Sequence, residues 1–543
     1  MGTYTSAEEV NNTYARLRDT FQSGKTKSVE WRKWQLKQLW WLVSDNKDRF
    51  LDALHKDCNR SAYESLVSEY TGILNEILYH LQNVDQWIKP RRPDDGSLPM
   101  TLLAGASLRP EPRGLVLIIG PWNFPVSLLL RPLVAAITAG CTAILKPSEL
   151  TQASQACLVE LVPQYLDTDA ISIVTGGPGE TTSLLQNKQF DLIFFTGSPA
   201  VGRLVAEAAA KHLTPVVLEL GGQGPGIVTA SADIDFAAKS IASTKYMNAG
   251  QSCLAVNHVL AHPSVAEQLV ELLKFHFEAF AADGPDSMTA VINKKNFDRL
   301  KNSIEKSHGT VVYGGQADPD KLSIRPTILT DLTPNDPILS SEIFGPICPI
   351  LITTTEDAIR SINSKPHPLG IYIFGTDQKE NEHIITSTTS GGVTVNDTLV
   401  HAAVLGAPFG GIGESGYGTY HGAYGFKAFS HMRTIANTTG LIRSLFGVRY
   451  PPYSKKDPNR LAVKNSLGFK RGETILDQRI GLAGWFRDQS AKIIRLTLLS
   501  TLFVLADKGA GGWLGLHRSM TYAASVIKSL AVSVVKVIQK RAL

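Results

Sequence analysis

Three kinds of group in this sequence are able to do chemistry on a small molecule. A thiol sits in the run Gly250-Gln251-Ser252-Cys253. A carboxyl, Glu219, lies near the end of the apolar run Pro215–Leu220. The turn Thr196-Gly197-Ser198 follows another apolar run and opens a helix. A thiolate adds readily to a carbonyl carbon, so a cysteine is a candidate nucleophile. A free cysteine has a pKa of about 8.5, and a working site must favour its anion through local dipoles or positive charge. A carboxylate on an apolar strand is partly desolvated, which raises its pKa toward the range of a general base. A Gly-Ser turn at a helix start offers free backbone N–H groups and a positive dipole end to a pyrophosphate. The dinucleotide signature GxGxxG follows none of the expected strands, so this turn stands in its place. Each feature alone also has a bland reading. Most single cysteines are inert core residues, and small residues at strand-to-helix junctions are mostly turn residues.

The elements that must position these groups alternate in type. Residues 1–90 read as helix, with Trp31, Trp34, Leu39, Leu42, Phe50, Leu51 and Leu54 at near-helical spacing and a break at Asp45–Asp48. Pro90–Pro112 holds five prolines and two glycines and is an extended or turning connection. Gly114–Gly120 is wholly apolar and reads as a strand buried on both faces. A helix over Leu128–Ala139, a strand over Thr142–Lys146 and a helix near Gln152–Tyr165 follow. Further strands fall at Ala170–Val174, Asp191–Phe195 and Pro215–Leu220, the last two separated by a helix through Lys211. This alternation means βαβ units and a parallel sheet, with ligands at the C-terminal ends of the strands. A second α/β unit begins near Gly221, and its landmarks are Gly250–Cys253, Ser341–Pro346 and Gly391–Asp397. Ala407–Gly422 is too rich in glycine to be regular throughout, and no repeat with a period of 20 to 50 residues is present.

At 543 residues the chain is long enough for three or four units of about 150 residues each. With 43% hydrophobic and 19% charged residues it is ordinary globular material, which excludes disorder, collagen-like repeats and a pure coiled coil. Cys58, Cys141, Cys157, Cys253 and Cys348 are too few and scattered for a disulfide scaffold or a CxxC metal site. They point to a reducing compartment, and no metal is expected. The start, MGTYTSAEEV, lacks the basic and apolar regions of a secretory signal. The net charge of +5 conceals an asymmetry. Residues 441–543 hold 18 Lys and Arg against 5 Asp and Glu, a balance of +13, and the other 440 residues stand at −8. A tail of that charge points to nucleic acid or an anionic membrane surface, against the bland alternative of a solvated extension.

Seven motifs occur in one order: Gly120-PWNFP-Pro125, Ile144-LKPSE-Glu149, Phe195-TGS-Ser198, Leu218-ELGG-Gly222, Gly250-QSC-Cys253, Glu342-IFGP-Pro346 and Pro408-FGG-Gly411. This set resembles the aldehyde dehydrogenase superfamily from about Glu30 to Pro452. Ala209-AKHLTPVVLELGG-Gly222, Gly392-VTVND-Asp397, Tyr420-HG-Gly422 and Tyr450-PP-Pro452 resemble its class 3 branch, which includes the fatty aldehyde enzymes. The resemblance implies an α/β aldehyde dehydrogenase fold. Its parts are a Rossmann-like parallel-sheet NAD(P) domain (1–90 and 107–218), an α/β catalytic domain (219–398), a bridging or oligomerisation element (91–106 and 399–430) and a helical C-terminal extension (431–543). It also implies oxidation of an aldehyde to a carboxylic acid with NAD, or NADP, since Lys146 is long and basic enough for a 2′-phosphate. Cys253 is then the nucleophile, passing through a thiohemiacetal and a thioester. Asn123 and the Cys253 N–H hold the oxyanion. Glu219 is the base, with Glu342 as second candidate. Lys146 and Glu149 lie by the adenosine ribose, and Gly197 and Ser198 by the pyrophosphate. Leu220 and Gly221 lie near the nicotinamide, Glu342 at its ribose and Phe344 against it. The sequence departs from the family at Gln223, where a lysine is usual, and at Ser341, where a second acid is common.

The tail adds a partner. Leu496–Ala506 is 11 uncharged residues, too short to span a bilayer, which takes about 20. Over Thr521–Lys540 the polar residues gather on one side of a helix, with Lys528, Lys536 and Lys540 among them, opposite Tyr522, Val526, Ile527, Leu530 and Val534. Helices at about 491–506 and 519–541 are therefore expected to lie on a membrane, drawn to anionic lipid, rather than on the protein body or on nucleic acid. The expectation is an enzyme on the cytosolic face of a membrane, at the endoplasmic reticulum, a lipid droplet or the mitochondrial outer membrane. It would be a homodimer acting on a long apolar aldehyde, fatty or apocarotenal. The alternatives are a medium-chain or aromatic aldehyde with the tail used for location or assembly, and a catalytically silent membrane scaffold.

Overall fold

The computed structural model of the protein describes residues 4–93, 105–282, 284 and 287–438, with isolated positions 440, 443, 450–453, 472 and 474. The expected tail helices and most of 91–106 lie outside the described residues. The chain divides into two units, 1–446 and 447–543. The second contains a cis Pro451–Pro452 bond; the fold and the site belong to the first.

Six short strands, most of them runs of apolar residues, build the first sheet. Its order is Gly416–Tyr417, Val216–Glu219, Leu192–Thr196, Leu115–Ile119, Thr142–Lys146 and Ile171–Ile173, all parallel except the two-residue strand Gly416–Tyr417. The alternation of a pleated strand explains why the runs are apolar throughout. Val116 and Ile118 face one core with the helices Val29–Asp45, Thr71–Trp87 and Ser127–Ala139, while Leu115, Leu117 and Ile119 face another with the helix Pro199–Ala210. The chain runs outward from Leu115–Ile119 through Thr142–Lys146 to Ile171–Ile173, then resumes on the other side at Leu192–Thr196. That reversal is a topological switch point, where loops leaving the two strands part and leave a crevice.

The N-terminal helices break where Asn46 follows Asp45, and Ser28 caps the helix Val29–Asp45 by accepting the Trp31 N–H. The second sheet has the order Gly392–Val395, Gly370–Phe374, Pro225–Val228, His258–Ala261, Ile347–Ile352, Thr327–Thr330 and Thr310–Tyr313, parallel apart from the last strand. The chain enters it directly, since Glu219 ends a strand of one sheet and Pro225 begins a strand of the other. The C-terminal edge of the first sheet thus meets the N-terminal edge of the second. Ser107–Pro112 pairs antiparallel with Ser430–Ile435 as a separate two-stranded ribbon.

Candidate active site

A cavity of about 300 Å³ opens at the junction of the two sheets. Loops leaving the first sheet supply Pro121, Trp122, Asn123, Thr196, Gly197, Ser198, Glu219, Leu220 and Gly221. Segments around the leading edge of the second supply Cys253, Asn296, Arg299, Ser341, Glu342 and Phe344. Nine of the residues singled out from sequence therefore meet in one cavity. Lys146 and Glu149 do not line it; they stand at the end of the neighbouring strand, where Lys146 Nζ pairs with Glu149 Oε2 at 2.8 Å.

Cys253 follows a turn held in an uncommon conformation. Asn248, Ala249 and Gly250 have φ of 51°, 50° and 67°, a left-handed run that costs energy at the two non-glycine positions. Gly250 is required twice over: its φ is positive, and a Cβ there would come within 2.3 Å of the Gly345 carbonyl. The Gln251-Ser252-Cys253 loop thus packs directly on the Glu342–Pro346 loop. Phe344, itself at φ 50°, meets Trp122 edge to face at 5.3 Å between ring centres, closing the same wall.

A buried polar network holds Asn123 and the thiol loop together. Arg60 donates through Nη2 to the Asn123 carbonyl at 2.6 Å and to Asn248 Oδ1 at 2.7 Å, and through Nη1 to Glu69 at 2.7 Å. Glu69 in turn accepts the N–H groups of Val126 and Ser127. Asn123 Nδ2 donates to the Gln251 carbonyl at 3.1 Å, an acceptor it shares with Asn248 Nδ2 at 3.0 Å. The Asn123 amide is buried, 4% exposed, with one N–H turned to the thiol loop. Arg60 and Glu69 are both almost wholly buried and pair with each other at 2.7 Å, which is what lets such charges be tolerated inside a protein, although Arg60 Nε has no hydrogen-bond partner among the described residues.

The electrostatics set two carboxyls against a thiol. Glu219 is 4% exposed and neither carboxyl oxygen has a hydrogen-bond partner among the described residues. Burial holds its pKa well above the ordinary carboxylate range. Glu342 is pushed up to about 7, again by burial, against the pull of the Gly222 N–H, Lys245 and Arg299. The sequence leads one to expect surroundings that favour the Cys253 anion; the protein groups do the reverse. Burial first, then repulsion from Glu342 and Glu219, push the thiol up to about 12, and the N–H groups of Cys253 and Leu254 offset only part of this.

The lining of the cavity suits the nicotinamide and pyrophosphate end of a dinucleotide. Ser198 caps the helix Pro199–Ala210, accepting the Val201 N–H and leaving the positive end of a 12-residue helix at the cavity. A Cβ on Gly221 would fall within 2.1 Å of Glu342 Oε2, so a side chain there would displace the carboxyl from this backbone. Sequence reasoning did not assign Arg60, Asn248, Asn296 or Arg299. Asn296 and Arg299 lie on the helix Lys294–Lys306, an amphipathic helix with no motif of its own, and Arg299 Nη2 donates to the Ile343 carbonyl at 2.9 Å. Pro121, Trp122, Thr196 and Ser341 stand inside motifs already noted.

Comparison with known proteins accords with this geometry. The family described as "Aldehyde dehydrogenase family" matches residues 2–435. Aldehyde dehydrogenase family 3 member B1 of Homo sapiens is 41% identical over 460 residues, covering 84% of this chain and 97% of that protein. Aldehyde dehydrogenase family 3 member A2 of Rattus norvegicus is 43% identical over 450 residues, covering 81% and 91%. Among solved structures, the substrate-bound state of Staphylococcus aureus AldH matches with a TM-score of 0.79 and 35% identity over 83% of this chain and 99% of that one.

Proposed function

The chain belongs to the aldehyde dehydrogenase family and oxidises aldehydes with NAD(P), and from that premise we propose how its own residues divide the work and which aldehydes it takes. The observation that carries the reading is the convergence of Cys253, Asn123 and Glu219 on one cavity that also holds Gly197, Gly221 and Glu342. The thiolate of Cys253 adds to the aldehyde carbon and forms a thiohemiacetal. Its oxyanion accepts hydrogen bonds from Asn123 Nδ2 and the Cys253 N–H, fixed donors of the kind worth about 3 kcal/mol each. When bound, the oxidised nicotinamide supplies the hydride acceptor and a positive charge beside the thiol. Cys253 then carries the acyl group as a thioester. Glu219 takes a proton from the water that hydrolyses it. Glu342 is the second candidate, but it is already engaged by the Gly222 N–H, whereas both oxygens of Glu219 are without partners, the state a base needs before it meets water. Gly197 and Ser198 receive the pyrophosphate, Leu220, Gly221 and Phe344 the nicotinamide, Glu342 its ribose, and Lys146 with Glu149 the adenosine ribose. Glu149, a carboxylate paired with Lys146, would repel a 2′-phosphate at the adenosine ribose, which favours NAD over NADP. The test is Cys253→Ala: NADH formation should fall to background, and retained turnover would overturn the assignment.

The domain division proposed is nucleotide binding by 1–90 and 107–218, catalysis by 219–398, bridging by 91–106 and 399–430, and attachment by 431–543. The ribbon of Ser107–Pro112 with Ser430–Ile435 flanks the bridging segments, and those segments are proposed to join two copies in a homodimer. The substrate proposed is a long apolar aldehyde, fatty or apocarotenal, delivered from the membrane on which the +13 tail rests. Among the described residues no helix is long and apolar enough to cross a membrane. An aldehyde panel from hexanal to octadecanal with retinal and longer apocarotenals, scored by kcat/KM, tests the substrate; no preference for long chains would favour medium-chain or aromatic aldehydes instead. Deletion of residues 485–543 should release the protein from the membrane fraction, and continued association would remove the attachment role.

A further inference from the structure

Gln223 ends the run Glu219-Leu220-Gly221-Gly222, and its side chain has one strong partner. Lys365 Nζ donates to Gln223 Oε1 at 3.0 Å and reaches the Leu339 carbonyl at 3.4 Å. Lys365 lies between the helix Thr355–Asn363 and the strand Gly370–Phe374, and Leu339 closes a helical turn three residues before Glu342. A single ammonium therefore ties the loop that carries Leu220 and Gly221 to the loop that carries Glu342. Among the described residues Lys365 has no carboxylate partner, and burial lowers its pKa from the usual lysine value. A half-buried cation with only neutral acceptors is a costly stability device, but its hydrogen bonds are charge-assisted and directional.

The two loops are packed with little slack. A Cβ on Gly221 would lie 2.1 Å from Glu342 Oε2, one on Gly222 would lie 3.2 Å from the Pro368 Cα, and one on Gly224 would lie 2.8 Å from the Gly370 carbonyl. The Gly222 N–H donates to Glu342. A displacement of Gln223 therefore shifts the Gly221–Gly222 backbone relative to the Glu342 carboxyl that lies against it.

We propose that Lys365 is a positioning residue for the cofactor: by bridging Gln223 and Leu339 it sets the separation of Gly221 and Glu342, and with it the seat of the nicotinamide ribose. The proposal rests on the reading of Gly221 and Glu342 as that end of the site. It also gives Gln223 a function, since a neutral acceptor at this position receives the Lys365 ammonium where a second cation would repel it.

The experiment uses the full chain, with NAD titrated at saturating aldehyde. Lys365→Met should raise the KM for NAD about tenfold, a factor equivalent to about 1.4 kcal/mol, with kcat and the aldehyde KM within about twofold. Gln223→Lys sets two ammonium groups against each other and should raise the NAD KM at least as far. The double variant Q223K/K365Q restores one donor and one acceptor and should bring the NAD KM back toward the starting value, a rescue that general loss of stability cannot produce. The proposal is overturned if K365M and Q223K leave the NAD KM within about twofold, or if the double variant shows only the product of the two single effects. Glu342→Gln separates the two levels of the reading. A raised NAD KM in E342Q with an indifferent K365M overturns the role of Lys365 alone. An unchanged NAD KM in E342Q withdraws the cofactor seat and the proposal with it.

Discussion

The Cys253 thiol should be slow to react in the protein without cofactor, and steeply dependent on pH. Burial and the carboxyls of Glu342 and Glu219 push it up to about 12. Near pH 8 that leaves about one thiolate in ten thousand, against about one in four for a free cysteine of pKa about 8.5. A more basic thiolate is also the better nucleophile. A Brønsted coefficient of about 0.45 over the difference of about 3.5 units returns a factor of about 40. Alkylation by iodoacetamide should then run about 60-fold slower than that of a free cysteine near pH 8. The rate should climb about tenfold per pH unit from about 7.5 to 9.5 with no plateau, because the thiol pKa lies far above that range. Glu342, at about 7, adds a bend. Its carboxyl is neutral at lower pH and becomes an anion as pH rises through 7, so the rise is shallower there. Glu342→Gln should remove the bend and speed alkylation near pH 9. Peptide mass spectrometry of the Cys253 peptide gives the rates. A plateau below about pH 9, or reaction as fast as a free thiol, would refute the argument that burial and the two carboxyls govern this group.

Further outcomes follow from the same geometry. Asn123→Ala removes one oxyanion donor and should lower kcat about 100-fold or more with little change in the NAD KM, as read in steady-state kinetics. Glu219→Gln should leave acylation intact and slow hydrolysis, giving a burst of about one NADH per site and then a steady rate at least about 100-fold below normal; a linear trace at the normal rate would exclude Glu219 as the base. Arg60→Met leaves Glu69 buried without its cation and should cost about 3–5 kcal/mol in urea unfolding. It should also lower kcat, since Arg60 holds the Asn123 carbonyl and Asn248.

The local elements of this protein are determined by its sequence alone. Leu115–Ile119 and Thr142–Lys146 are strands because each is a short run of apolar residues between turn signals, and Gln152–Tyr165 is a helix by its periodicity. The chemical types at Cys253, Glu219, Asn123 and Glu342, and the +13 charge of the tail, are likewise determined at that level. Tertiary structure decided what those groups experience. Arg60 reaches Asn123 across 63 positions and Asn248 across 188, and Lys365 reaches Gln223 across 142; no local pattern announces any of them. Asn296 and Arg299 enter the cavity from an amphipathic helix whose periodicity reports only that one face is buried. The direction of the Cys253 shift differs from the sequence expectation for the same reason. Periodicity and turn chemistry depend on neighbours along the chain, whereas burial and Coulomb interaction depend on neighbours in space. The meeting of two sheet edges placed Glu219 and Glu342 beside the thiol.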